Sequence, residues 1–138
     1  MPAKDIYHNT VRTALEKDDW IVTNDPLIIR WGKRDLYVDL GAEKLIAAEK
    51  DSQKIAVEVK SFVGKSVIDD LEKGLGKYIL YYDLLARTQP EITLYLAIHQ
   101  EAYVDVFEDP IGEVLLENQR LKLLVFDEFE EVILRWII

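Results

Sequence analysis

Ile55-Ala-Val-Glu-Val-Lys-Ser61 is the stretch that decides the fold. Side chains alternate across a strand, so Ile55, Val57 and Val59 share one purely aliphatic face, while Ala56, Glu58 and Lys60 share the other. The first face asks for a core. The second begins apolar at Ala56 and turns charged only at its end. A strand covered on both sides until its last residues belongs inside a sheet with helices on it. Upstream, Leu45-Ile-Ala-Ala-Glu49 is a second β-prone run, and Lys50-Asp-Ser-Gln-Lys54 between them reads as a hairpin loop. A turn centred on Asp51 and Ser52 would set Glu43 opposite Lys60 and Leu45 opposite Glu58.

Working outward, residues 4–18 read as a helix with Tyr7, Val11, Ala14 and Leu15 on its apolar stripe and Pro2 as a start signal upstream. Trp20-Ile-Val-Thr23 is a short β-prone run, Asn24-Asp25-Pro26 a turn, and residues 27–30 and 36–40 short strands around a polar break. Residues 66–86 read as a long helix capped by Ser66, with acids crowding its first turn and Leu71, Leu75, Tyr78, Ile79, Tyr82 and Leu85 on its apolar stripe. Gly74 and Gly76 oppose that helix on propensity, unless they admit a close approach to the sheet. Ile92-Thr-Leu-Tyr-Leu-Ala-Ile98 is continuously apolar, as in a strand buried on both faces. Helical segments follow at 101–107 and 111–118, and strands at 121–126 and 132–137. The order predicts one mixed α/β domain of α+β type spanning residues 1–138, a mixed sheet flanked by helices.

Composition sets outer bounds. With 49% apolar residues the chain can bury a real core, which excludes disorder as a description of the whole. There is no cysteine, hence no disulfide, no Cys–zinc site and no thiol nucleophile. The two histidines, His8 and His99, are too few for a His-rich metal cage. No signal peptide or membrane-length apolar run is visible, so the protein is expected to be cytoplasmic, without membrane association. The net charge of −9 excludes a generally basic nucleic-acid coat. Ten acids and two bases lie between Glu101 and Glu131, so that window carries −8 and the remainder only −1. A local basic patch outside it is compatible with DNA.

Glu58-Val59-Lys60 carries the chemical signal. A carboxylate and an ammonium two residues apart emerge on one face at the end of a strand. Together they can hold a divalent cation, orient a water and stabilise charge on a phosphate oxygen. The plain alternative is a solvated same-face ion pair, and such triplets are common. Against it stand Ala56 on the same face and two further acids, Asp39 and Glu43, placed to join Glu58 around one metal. His8, Arg12 and Glu16 make a polar helical stripe, mostly read as solvated. Trp20, Trp31 and Trp136 are expected to pack, and His99 to cap or lie at the surface.

These residues resemble the PD-(D/E)xK nuclease superfamily, in which an acid precedes a strand ending in a (D/E)xK triplet. More closely, the chain resembles the XisH family, the cyanobacterial fdxN element excision controlling factors. That resemblance runs through Pro2-Ala-Lys-Asp-Ile-Tyr-His8, Tyr37-Val-Asp-Leu-Gly-Ala-Glu-Lys44, Ala48-Glu-Lys50, Ile55 to Phe62, Leu94-Tyr-Leu-Ala97 and Arg135-Trp-Ile137. It implies a restriction-endonuclease-like fold and a controlling role, rather than that of the recombinase, in excising a chromosomal element during heterocyst differentiation. It also implies a companion protein, XisI. By the superfamily pattern Glu58 and Lys60 are the (D/E)xK pair, and Asp39 or Glu43 is the earlier acid. Asp39 has the expected letter and Glu43 fits the expected hairpin better. The pattern's proline is replaced by Val38. Lys77-Tyr-Ile-Leu-Tyr81 stands where many members carry Gln-x-x-x-Tyr, with Lys77 as a phosphate contact. His8, with Asp5 one turn before it and Glu16 further on, supplies the nearest polar candidates on the first helix.

Three functions follow as expectations. The first is a DNA phosphodiesterase using Mg²⁺ or Mn²⁺, with Asp39, Glu43 and Glu58 as metal ligands, Lys60 and His8 assisting, and Lys33, Arg34, Lys65 and Lys77 contacting DNA. The second is a non-catalytic regulator that keeps the fold and binds DNA or XisI, which the acidic window favours. The third is a homodimer built on the Tyr-rich helix.

Overall fold

The computed structural model describes residues 4–46 and 51–138. Pro2, residues 47–50 at the expected end of the first hairpin arm, and the matching Ala48-Glu-Lys50 stretch lie outside the described residues. Helix α1 (His8–Lys17) precedes β1 (Ile21–Asn24), β2 (Leu27–Trp31), β3 (Arg34–Val38), β4 (Leu40–Ile46) and β5 (Asp51–Val59). Helix α2 (Val67–Thr88) leads to β6 (Ile92–His99). Helix α3 (Gln100–Ala102) runs on into a π-helical turn (Tyr103–Phe107), followed by α4 (Pro110–Glu117), β7 (Leu123–Asp127) and β8 (Val132–Ile137). Among the described residues the elements follow the expected order, except that the strand expected at 36–40 is split between β3 and β4 and β4 reaches only to Ile46. Ser66 caps α2 as anticipated, its Oγ accepting from Asp69 N at 3.1 Å.

Six strands form one sheet in the order β1-β4-β5-β6-β7-β8, and β2 and β3 form a separate hairpin. β5, β6 and β7 run parallel, and the other pairs are antiparallel. The sheet is thus mixed, with helices on both faces. Ile55, Val57 and Val59 pack with Val11 and Leu15 of α1 and with Tyr95, Ala97 and Leu124. Ala56 lies on the opposite side with Leu71, Tyr78 and Leu85 of α2 and with Leu94, Leu96 and Ile98. β6 feeds both clusters, which is why its sequence is apolar without alternation. Burying each such side chain contributes on the order of 2 kcal/mol. Among the described residues no helix is long and apolar enough to cross a membrane.

The hairpin register differs from the expected one. Glu43 pairs with Lys54, not with Lys60, and Leu45 with Ser52, not with Glu58. The polar stretch before Ile55 is strand rather than loop, because β5 already begins at Asp51. Its polarity reflects exposure of Gln53 and Lys54 beyond the helices, not a turn. Lys54 precedes Lys60 by an even number of residues, so inner and outer faces are kept while Glu43 moves to the far end of the strand. Two packing expectations also fail. Trp31 is 45% exposed at the end of the β2–β3 hairpin, and His99 is buried at the end of β6.

Tyr78 ties α2 to the sheet. Its hydroxyl donates to Leu94 O and accepts from Lys122 N, both at 3.1 Å. Burial is the main reason its phenol is pushed up to about 12. Tyr78→Phe should strand both partners and destabilise the protein by about 1–2 kcal/mol, measured by chemical denaturation.

Candidate functional site

The carboxyl ends of β5, β6 and β7 all point one way, which is where parallel sheets usually present ligand sites. Glu58 is the penultimate residue of β5, and Lys60 follows the strand with its amide donating to Ala97 O at 3.0 Å. Asp39 sits between β3 and β4. The hairpin register carries it beside the end of β5. Val59 N donates to Asp39 Oδ2 at 2.8 Å, and Asp39 N donates to Glu58 Oε1 at 3.3 Å. Asp39 and Glu58 are therefore brought together. Glu43 is not: it lines a different cavity with Thr23, Asn24, Lys54 and Gln89. Of the two acids left open by the sequence, only Asp39 is in position.

Electrostatics mark this pair. Glu58 is 4% exposed. Its carboxyl is pushed up to about 8, first by burial and then by the Asp39 charge, with Lys77 opposing. Asp39 is also raised, again chiefly by burial, against the hydrogen bond from Val59. Two carboxyls so close and so buried cannot both ionise at little cost, so the pair holds on to a proton.

The surrounding cavity has a volume of about 460 Å³ and is lined by Lys4, Asp5, Tyr37, Lys60, Lys77 and Tyr81 besides the acid pair. Lys77 Nζ is 3.8 Å from Glu58 Oε2, so this predicted contact residue faces the site. Burial, then Glu58 and Asp39, push the Tyr81 phenol up to about 12. Lys33 and Arg34 are exposed at the tip of the β2–β3 hairpin, beyond the Asp35–Tyr37 segment that lines the cavity. Lys65 is exposed on the connection to α2. None of these three lines the cavity.

His8 is 3% exposed, not on a solvated stripe. Its Nε2 lies 2.7 Å from Asp25 Oδ1, and Arg12 donates to Asp25 Oδ2 at 2.7 Å. Burial raises the Asp25 carboxyl, but the bonds from Arg12 and His8 outweigh it and hold it below its usual range. An ionised Asp25 only accepts, so His8 Nε2 donates. His8 Nδ1 then faces Asp39 Oδ1 at 4.0 Å, and among the described residues it has no hydrogen-bond partner.

A divalent cation fits this donor set. Two carboxyl groups stand together under like-charge pressure, and an orphaned imidazole nitrogen faces one of them. Among the described residues no three His, Cys, Asp or Glu side chains converge as a complete cage. Mg²⁺ is commonly held by one or two carboxylates, with water and phosphate completing its shell.

The sequence did not identify Asp25 or Asp70 as parts of this site, and placed Asp5 only near His8. Asp25 carried a turn signal and Asp70 looked like first-turn helix acidity. Asp5 accepts from Ser61 N at 3.2 Å and Tyr7 N at 2.9 Å, pinning the chain before α1 to the end of the E-x-K segment.

The raised Glu58 carboxyl gives a signed pH dependence. Between its ordinary value of 4.5 and about 8 the folded protein keeps a proton that the unfolded chain releases. Stability without divalent ions should therefore fall as pH rises through that window. The wild type should lose more than about 1 kcal/mol between pH 5 and pH 8 in EDTA, and Glu58→Gln should flatten the slope. Thermal unfolding at both pH values checks this.

The profile of the family described as XisH protein matches residues 1–134. A crystal structure of an XisH family protein from Nostoc punctiforme superposes with a TM-score of 0.86 at 40% identity, covering 97% of this chain and 100% of the other. The crystal structure of an fdxN element excision controlling factor protein from Anabaena variabilis superposes with the same TM-score at 41% identity, covering 98% and 100%. Comparison with curated proteins gave no match. With a whole-length profile and two solved relatives agreeing in sequence and fold, the chain belongs to the XisH family.

Proposed function

We propose that this protein serves the control of DNA-element excision by acting on the DNA backbone, as a metal-dependent phosphodiesterase whose site is Asp39, Glu58 and Lys60. The excision role follows the name borne by the Anabaena variabilis relative. The single observation that carries the chemistry is the buried Asp39–Glu58 carboxyl pair, whose proton is held up to about 8 when no cation is present. Asp39 and Glu58 would hold Mg²⁺ or Mn²⁺. Such an ion polarises a phosphoryl oxygen and lowers the pKa of water.

The chain's own residues supply the rest. The Val59 amide fixes Asp39 so that one carboxylate oxygen remains for the cavity. Lys60 and Lys77 bring two ammonium groups to the same cavity, suited to the charge of a phosphate. Tyr37 and Tyr81 give it aromatic walls. Lys33, Arg34 and Lys65 would contact the DNA backbone further out. His8, oriented by Asp25, would accept a proton or a cation at Nδ1.

A second reading is a non-catalytic adaptor that binds XisI. Lys77 favours it, because this chain cation already stands 3.8 Å from Glu58. The exposed acids of α3, the π-helical turn and α4 favour it too: Glu101, Asp105, Glu108 and Glu113 would repel DNA and suit a basic protein surface.

Nicking of supercoiled plasmid with Mn²⁺ or Mg²⁺ tests the first reading. Wild type should nick, and Lys60→Ala and Glu58→Gln should each lose about 10²-fold or more. If wild type gives no more product than Lys60→Ala, the phosphodiesterase reading is wrong. Retention of XisI by the immobilised protein at physiological salt, with no nicking, would then favour the adaptor.

A further inference from the structure

The path of the Lys60 side chain shows an apparatus that neither the E-x-K pattern nor the packing of the core explains. Its ammonium does not rest on the acid pair. Nζ lies 3.4 Å from Oδ1 of Asp70, in the first turn of α2. Asp70 is only 7% exposed, and a carboxylate so buried is costly unless paired. Its other oxygen, Oδ2, accepts from Gly64 N at 2.9 Å.

Two glycines make room for this arrangement. A Cβ on Gly64 would stand 2.9 Å from both Asp70 oxygens, so a side chain there would evict the carboxylate. A Cβ on Gly74 would stand 3.3 Å from Lys60 Cγ and 3.7 Å from Cδ, so the bare helix backbone is the bed on which the lysine stem lies. Gly76, two residues on, has nothing within 4 Å of the same position. Glycine in a helix interior lowers helix stability, and at Gly74 the close approach of Lys60 gives it a reason.

We propose that Asp70 is the positioning residue for Lys60, with Gly64 and Gly74 shaping the slot in which the lysine is held. The assignment rests on the reading of Lys60 as the cation that meets a phosphate. Asp70 does not line the cavity itself. It fixes the ammonium at the cavity wall, so that Lys60 meets the backbone of a bound strand as a fixed charge rather than as a mobile side chain. Lys77, 59% exposed at its side chain, reaches Glu58 only at 3.8 Å and acts as the adjustable cation of the pair.

Lysine-selective ¹³C labelling tests the positioning directly. The ε-methylene of Lys60, assigned by its loss in Lys60→Arg, should show two separate proton resonances in the wild type, as a fixed side chain does. They should merge toward the values of exposed lysines in Asp70→Asn. Gly74→Ala should shift them as well, while leaving the Asp70–Gly64 bond in place, so the effect cannot come from a loosened α2 terminus. Degenerate wild-type resonances, or resonances unchanged in Asp70→Asn, would overturn the proposal. Plasmid nicking supplies the second arm. Asp70→Asn should lose about tenfold or more, with partial recovery in Asp70→Glu. Nicking by Asp70→Asn at the wild-type rate overturns the functional role. Absence of nicking in the wild type counts against the phosphodiesterase reading alone, and the lysine spectrum then still decides the positioning.

Discussion

Two backbone amides hold two carboxyl groups against each other, and the cavity is organised around that constraint. Val59 N donates to the side chain of Asp39, and Asp39 N donates to the side chain of Glu58. Each acid is thereby fixed by the backbone of the segment that carries the other. The link needs the connection from β3 to β4 to pass beside the end of β5, which the β4–β5 ladder enforces from Leu40↔Val57 onward. It also needs β5 to be central, so that α2 can lay Lys77 and Tyr81 over the pair. The sheet order, the crossover through α2 and the separate β2–β3 hairpin all set walls around this one contact.

The fold was legible because its signals are local or periodic. Ile55, Val57 and Val59 alternate with a second face, Ile92 to Ile98 does not alternate at all, and Ser66 stands before a helical stripe. Each pattern names its own burial. The site was legible only in part. Glu58 and Lys60 announce themselves by spacing on one strand. The choice between Asp39 and Glu43 depended on hairpin register, and register depends on where a ladder stops. Asp51 to Lys54 looks like a loop by composition, yet it is strand, because an exposed ladder accepts polar side chains at small cost. His8 was legible as a site candidate, but its burial was not. Its helical neighbours are polar, but the turn at Asp25 folds back over it, and no periodicity encodes a contact across that distance in sequence. Asp70 and Gly74 were legible as helix features, a first-turn acid and an unfavourable glycine, without a hint that both serve Lys60.

Net charge shows how a total can mislead. The figure of −9 argues against DNA only when spread evenly. It is concentrated between Glu101 and Glu131, and Lys4, Lys60 and Lys77 gather instead at the cavity. The acids of α3, the π-helical turn and α4 belong to the connection from β6 to β7, whereas the site is built from β5, the β3–β4 junction and α2. Screening over about 8–10 Å at physiological salt weakens the effect of exposed acids on charges beyond that distance. One chain can therefore present a surface suited to phosphate and another suited to a basic protein.

The interior of the site bears on which reading it favours. An adaptor needs a surface, not an interior charge. Glu58 faces α2 from the same side of β5 as Ala56, and its neighbour across the parallel ladder is Leu96. An apolar residue there would continue the core and remove a carboxyl that burial opposes at neutral pH. Asp39 adds a second acid to the same place, and His8 turns toward it a nitrogen without a hydrogen-bond partner among the described residues. Burial opposes the charged form of both carboxyls in the absence of a cation. Their convergence has a physical rationale if the site takes up a divalent ion and a phosphate, which an adaptor with its binding surface elsewhere does not require.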